Sequence, residues 1–320
     1  MYSSGPSQFN RPMDYTLVTT RKTSRGIIAF MEIYYGIFWA LMAMVCWGIA
    51  DYSARTATIQ SGSAICTSFY IHVIGLLIPA GILIYRANSG YYNEIDFVLL
   101  LSYGSIAGFL YTLNYVLYYR GLATGSVSVV TAVASAFAVV AVIISAIFLE
   151  ESFSLFQFGL IVVITFGIAL TAFKDTSITG SSTGLMYAIA CMLISGIAVC
   201  IIKPLVEEFG PTLAIIVPLF ISSLFTGMWA IKMKAPLVLS YELGLKNVVI
   251  AGVLDSLGFL CLAIGFVLAP VFLVTPISAG SPLVTILMAR VLIAERVSRI
   301  QSTGVIVTIA GVIILSGVTG

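Results

Sequence analysis

The sequence predicts an all-α integral membrane protein of ten transmembrane helices, arranged as two inverted five-helix repeats. Three observations predict it. Of the 320 residues, 60% are hydrophobic and only 9% charged, with a mean hydropathy of +1.11, a composition unlike that of a chain that must face water. Apolar runs of roughly 20 residues, enough to cross about 30 Å of hydrocarbon, recur with little between them. The second half of the chain also repeats the first about 144 positions later, so that Glu151-x-x-Ser154-x-x-Gln157 returns as Glu295-x-x-Ser298-x-x-Gln301.

Taken in order, residues 1–31 read as a polar, disordered N-terminal tail without the short apolar core and small-residue cleavage site of a signal peptide. Met31 directly precedes the first span and is a candidate start of translation. A first unit, 32–175, carries apolar runs at 33–54, 63–85, 97–119, 125–149 and 155–173; a second, 180–320, carries them at 184–203, 211–231, 246–268, 271–293 and 301–318. A closed barrel would need strands of about 10 residues alternating apolar and polar. These runs are apolar on every side, which leaves helices as the spanning structure.

The repeat extends well past its charged motif. Gly108, Gly121, Thr131 and Gly167 fall on Gly252, Gly265, Thr275 and Gly311, and at an offset of 148 Gly36, Gly48 and Arg55 fall on Gly184, Gly196 and Lys203. Five spans per unit is an odd number, so the second copy enters the membrane from the opposite side. Inverted repeats of this kind mark secondary transporters that rock about a central site. Ser154 with Gln157, and Ser298 with Gln301, each just before an apolar run, read as capping boxes that start the last helix of each half. Glu151 and Glu295 are expected to favour the positive end of the same helix.

The glutamate, the Ser-x-x-Gln and the later Gly167 or Gly311 resemble the EamA-type domain of the drug/metabolite transporter superfamily. So does Cys46-Trp47-Gly48 with a cation eight residues after the tryptophan at Arg55. Two such domains would cover nearly everything from Glu32 to Gly320. The resemblance implies ten helices, an inverted pair of five-helix units and transport of a small metabolite. The chain departs from that pattern at Ala50, where the family has a polar residue, and at Ser195, which stands where the first copy has Trp47.

Candidate site residues follow from the cost of polar groups inside a bilayer. Asp255 falls within the eighth span, where an ionised carboxylate costs about 2.5–3.5 kcal/mol, so a function is the default reading. Its repeat counterpart Tyr111 begins a stripe with Asn114, Tyr115 and Tyr118 on one helix face. Asp255 is expected to accept a proton or offset a substrate amine, with the tyrosines as amphipathic walls; Tyr115 and Tyr118 also suit an interfacial belt. Asp51, four residues before Arg55, suits either the site or an ion pair along one helix. His72, the one histidine, suits a proton relay or a hydrogen-bonded neutral ring. Pro270, Pro276 and Pro282 are expected to break the ninth span, with Thr275 and Ser278 facing the pathway beside freed carbonyls. The fourth span has no proline, so the break is expected on one side only. Gly-x-x-x-Gly at 104–108 and 121–125 reads as close helix contact.

These features point to a secondary carrier in the cell membrane. The expected cargo is a small polar metabolite such as an amino acid, exported by alternating access, either coupled to a proton gradient or by facilitated diffusion. A transporter-like receptor or scaffold, and an intramembrane enzyme, are the alternatives. The chain lacks a phosphate-binding loop, a Gly-x-Ser-Gly-like nucleophile site and a His-Glu-x-x-His metal motif. Its five cysteines all sit in apolar runs, and no metal or cofactor is expected. A formal charge of +2 spread along the chain excludes a nucleic-acid partner and leaves the lipid bilayer and a small molecule. The resemblance implies cytoplasmic termini. Of the 15 lysines and arginines, six lie on the termini's side counting the tail and nine opposite, which by the positive-inside rule argues the reverse.

Overall fold

The structure, a computed structural model, describes residues 15–87, 95–124, 127–172, 182–235, 244–293 and 298–319, and its regular elements are all helices. Helix α1 is Tyr15–Ser61, whose stretch Met31–Ser61 has the hydropathy of a membrane span. It therefore begins within the segment expected to be a disordered tail. Extending a formed helix costs far less than nucleating one. Residues 1–14 lie outside the described residues. The second span comprises α2, Ala64–Gly75, and α3, Leu77–Ala87. Pro79 explains their separation: it has no N–H for the carbonyl of Gly75, and its ring crowds that carbonyl. Helix α4 is Phe97–Thr124, started by Asp96, whose carboxylate accepts the N–H of Leu99 at 3.0 Å.

The fourth span is divided into α5, Val127–Ala134, and α6, Phe137–Phe148; the ninth into α10, Val271–Ser278, and α11, Ser281–Ile293. The two breaks coincide at the 144-residue offset. Ala136 N–H bonds Val133 O at 3.1 Å, and Gly280 N–H bonds Ile277 O at 3.1 Å, the same tightened turn at equivalent positions. The expectation of a one-sided break is thus corrected. A crossing helix meets each break at equivalent glycines: Gly196 abuts Val140 and the N–H of Ala141, while Gly48 abuts Val284 and the carbonyl of Ser281; the second break also has Pro282, which offers no N–H to the carbonyl of Ser278. A methyl at Gly196 would come within 2.6 Å of Val140.

Helix α7, Leu155–Ala172, and helix α12, Arg299–Thr319, close the two halves. The second half opens with α8, Ser182–Lys232, whose 51 residues would extend about 77 Å at 1.5 Å each. Gly210, at φ 77° and ψ 165° and followed by Pro211, divides it into two crossings. Helix α9 is Leu245–Leu268. Among the described residues eight helical segments are long and apolar enough to cross a membrane, α8 among them, and Ala132–Phe148 is a shorter apolar helix.

The halves interlock. Helix α1 packs on α9, and α8 packs on α4, so the first helix of each half meets the third of the other. Gly104 and Gly108 face Val217 and Ile221 of α8, and Gly252 faces Ile74 in the matching place. Helices α7 and α12 form a third pair, with Gly304 against the carbonyl of Gly167 and Gly311 against Ile164. The most covered span is α9, with 67% of its apolar window buried against 22% for α12, which puts Asp255 on the central helix.

Candidate functional site

A cavity of about 130 Å³ opens between the two halves at mid-helix depth. From the first half it is lined by Trp47 of α1, Tyr111 and Asn114 of α4 and Phe137 of α6. From the second come Ser195 and Val199 of α8, Phe259 and Leu262 of α9, and Thr275 and Ser278 of α10. Phe259 meets Trp47 edge-on at 5.1 Å between ring centroids and Tyr111 edge-on at 5.0 Å, which makes one aromatic wall.

The repeat places different side chains at equivalent points. Trp47 corresponds to Ser195, and Asn114 to Gly258. On one side the indole of Trp47 fills the room left by Gly258. On the other, small Ser195 leaves room for Asn114, whose Oδ1 accepts Ser195 Oγ–H at 2.8 Å and Cys191 Sγ–H at 2.7 Å. Both donors go to one oxygen, which fixes the amide and turns its NH₂ group elsewhere.

Several polar groups here lack a partner. The hydroxyls of Tyr111 and Thr275 are buried and make no hydrogen bond, an arrangement that costs about 1–3 kcal/mol per group unless something pairs with it. Ser278 instead returns its hydroxyl to the carbonyl of Thr275 at 3.0 Å. Asp255, only 9% exposed, lies one helical turn before Phe259. It is within electrostatic reach of Tyr111 and of Asp51, and has neither a hydrogen bond nor an ion pair among the described residues.

The remaining candidates lie elsewhere. Asp51 does not line the cavity: it is exposed on α1, within electrostatic reach of Asp255, and accepts the hydroxyl of Ser281 at 3.3 Å; no Asp51–Arg55 ion pair exists among the described residues. His72 is buried between α2, α4 and α8, with Nδ1 3.3 Å from Ser222 Oγ, which accepts the hydroxyl of Thr112 at 3.2 Å. Tyr115 places its ring on His72, 4.9 Å between centroids, so these two form a cluster of their own beside the cavity.

In the repeated motif, the reciprocal bonds of a capping box are present twice. Gln157 N–H donates to Ser154 Oγ at 3.2 Å and Ser154 N–H to Gln157 Oε1 at 2.8 Å; the distances for Gln301 and Ser298 are 3.1 and 3.0 Å. Each glutamine also crosses to the other helix, Gln157 Nε2 to Thr319 Oγ1 at 3.1 Å and Gln301 Nε2 to the Thr171 carbonyl at 3.2 Å. Glu151 behaves differently from its expected role at the start of α7. Its carboxylate accepts the N–H groups of Val271 at 2.7 Å and Phe272 at 3.1 Å, the start of α10. Lys203 stands 4.0 Å from it, 3.2 Å from Glu207, and donates to the carbonyl of Phe266 at 3.0 Å. A buried helix start with two unmet N–H groups outcompetes an exposed one. Glu295 lies outside the described residues.

Sequence reasoning did not single out Phe137, Val199, Phe259 or Leu262. Phe259 was within reach, four residues after Asp255 on the same helix face. Ser195 was mapped to Trp47 through the repeat, but as a departure from the pattern and not as a lining residue.

The model of the EamA-like transporter family matches the chain twice, over residues 34–173 and 182–317. None of the curated proteins compared with the chain matches it in sequence. A solved structure described as "Crystal structure of protein" is similar in fold, with a TM-score of 0.74 at 15% identity, over 88% of this chain and 96% of that one.

Proposed function

The chain belongs to the EamA-like transporter family, and from that membership we propose that it exports a small polar metabolite such as an amino acid, coupled to protons. It is a multi-pass membrane transporter of the drug/metabolite type. In the proposed cycle the two interlocked halves rock about the cavity, which opens to each side of the membrane in turn. Tyr111 and Thr275 orient the substrate through their free hydroxyls, and Trp47, Phe259 and Phe137 take its apolar part. Asp255 accepts a proton in one state and pairs with a substrate ammonium in the other.

The observation that carries this reading is the convergence of unpartnered groups on one cavity between the halves: the Tyr111 and Thr275 hydroxyls in its wall and the Asp255 carboxylate one turn away. Counterflow in proteoliposomes under an imposed pH gradient tests the reading, with a pooled radiolabelled mixture of amino acids and small metabolites and with Asp255→Asn beside the wild type. Gradient-driven flux abolished by the substitution is the expected result. Flux indifferent to gradient and substitution alike removes the coupling and the role of Asp255; absence of flux for any compound moves the protein to the receptor class.

A further inference from the structure

We infer that a second site, at the membrane-facing ends of α4 and α8, binds the phosphate of an anionic phospholipid. Helices α4 and the second half of α8 run side by side in the same direction, Gly104 against Val217 and Gly108 against Ile221. Arg120 and Lys232 each follow about three turns later, so both emerge at one level on one face of the membrane. Between them is a pocket of about 400 Å³ lined by Arg120, Met228, Trp229, Lys232 and Met233. The guanidinium carbon of Arg120 stands 5.8 Å from the centre of the Trp229 ring, a contact that holds the cation in place and leaves its N–H fork for a partner.

Among the described residues no carboxylate lines this pocket and neither cation forms an ion pair. Two unpaired cations in one recess favour an anion, and phosphate matches the fork of an arginine. Either a lipid headgroup or free phosphate would supply that chemistry, and the surroundings favour the lipid. Met228 and Met233 are 56% and 61% exposed, and the seam continues along α4 and α8 to the exposed pair Phe109 and Phe225, 5.7 Å apart. An acyl chain would lie on that apolar seam. Tryptophan and basic side chains at this depth are where headgroups sit.

The repeat supplies an internal control. Gly252 on Ile74 reproduces Gly108 on Ile221, and through that correspondence Arg120 maps to Ile264, Trp229 to Ile82 and Lys232 to Tyr85. The equivalent place carries one cation, Arg86, at the position of Met233, and no indole. The fold is built in that half without the Arg120–Trp229–Lys232 group, so scaffold requirements do not account for it.

Native mass spectrometry of the full chain, titrated with phosphatidylglycerol and with phosphatidylcholine of the same acyl chains, tests the site. Phosphatidylglycerol is expected to bind first and at least tenfold more tightly. Arg120→Ala combined with Lys232→Ala is expected to weaken it about 30-fold, the effect of two interfacial cations, with phosphatidylcholine unchanged. Lys246→Ala with Arg299→Ala, cations on the same face outside the pocket, is expected to change little. If the double variant does not fold, Arg120→Gln and Lys232→Gln singly are expected to cost about fivefold each. Equal binding of the two lipids, or an equal loss in the Lys246 and Arg299 variant, overturns the site. Binding of inorganic phosphate without preference for phosphatidylglycerol assigns the pocket to free phosphate and overturns the lipid.

Discussion

The indole of Trp47 lies against Gly258 so closely that a Cβ on that residue would stand 2.6 Å from indole Cδ1 and 2.7 Å from Nε1. The contact joins α1 to α9 beside the cavity. Gly258→Ala is expected to push Trp47 from its rotamer and cost about 1–3 kcal/mol. Tryptophan emission and thermal unfolding in detergent measure both effects, and flux should fall with them. An unchanged melting temperature would show that the two helices can part at no cost.

The second half should tolerate the same arrangement if both members are exchanged. Ser195→Trp alone sets an indole against Asn114 and is expected to destabilise by about 1–3 kcal/mol. Adding Asn114→Gly recreates the Trp47–Gly258 pair and is expected to recover most of that loss. A double-mutant cycle on unfolding free energies reads the coupling; strict additivity would mean that the halves are not equivalent at this point.

Glu151 satisfies the start of a helix 120 residues away in sequence. Glu151→Ala leaves two backbone donors unmet and removes one partner of Lys203, at an expected cost of about 3 kcal/mol. Glu150→Ala, one residue earlier and exposed, is expected to stay within about 0.5 kcal/mol. Melting temperatures of the two variants should therefore separate clearly.

The two capping boxes are not equally protected. Ser154→Ala and Ser298→Ala are each expected to cost about 1 kcal/mol. Gln301 is buried and reaches a backbone carbonyl of α7, whereas Gln157 and its capping bonds are more exposed. Gln301→Ala is accordingly expected to be the more damaging, by about 1–2 kcal/mol. Equal losses, measured by thermal unfolding in one detergent, would assign the whole effect to the caps.

Much of the architecture was readable because a bilayer imposes length and composition, and because each capping box is written within four consecutive residues. The register of 144 carried more than was drawn from it. It sets the equivalent breaks at Ala136 and Gly280, but attention to proline hid the first, which has none. Contacts between distant helices were unreadable for a similar reason. Nothing near Glu151 indicates that its partners are Val271 and Phe272, and nothing near His72 indicates Ser222. Tyr111, Asn114, Thr275 and Ser278 were selected as polar residues in apolar spans, and they line one cavity.

Helices α7 and α12 touch through glycine and are tied at either end by Gln157 and Gln301. In the proposed cycle a pair held in this way is suited to act as the fulcrum. Its helices belong to opposite halves, so the pivot of the proposed cycle passes between them and the displacement there is least. A covalent crosslink across α7 and α12 should then leave flux intact, whereas one between α1 and α9 should stop it.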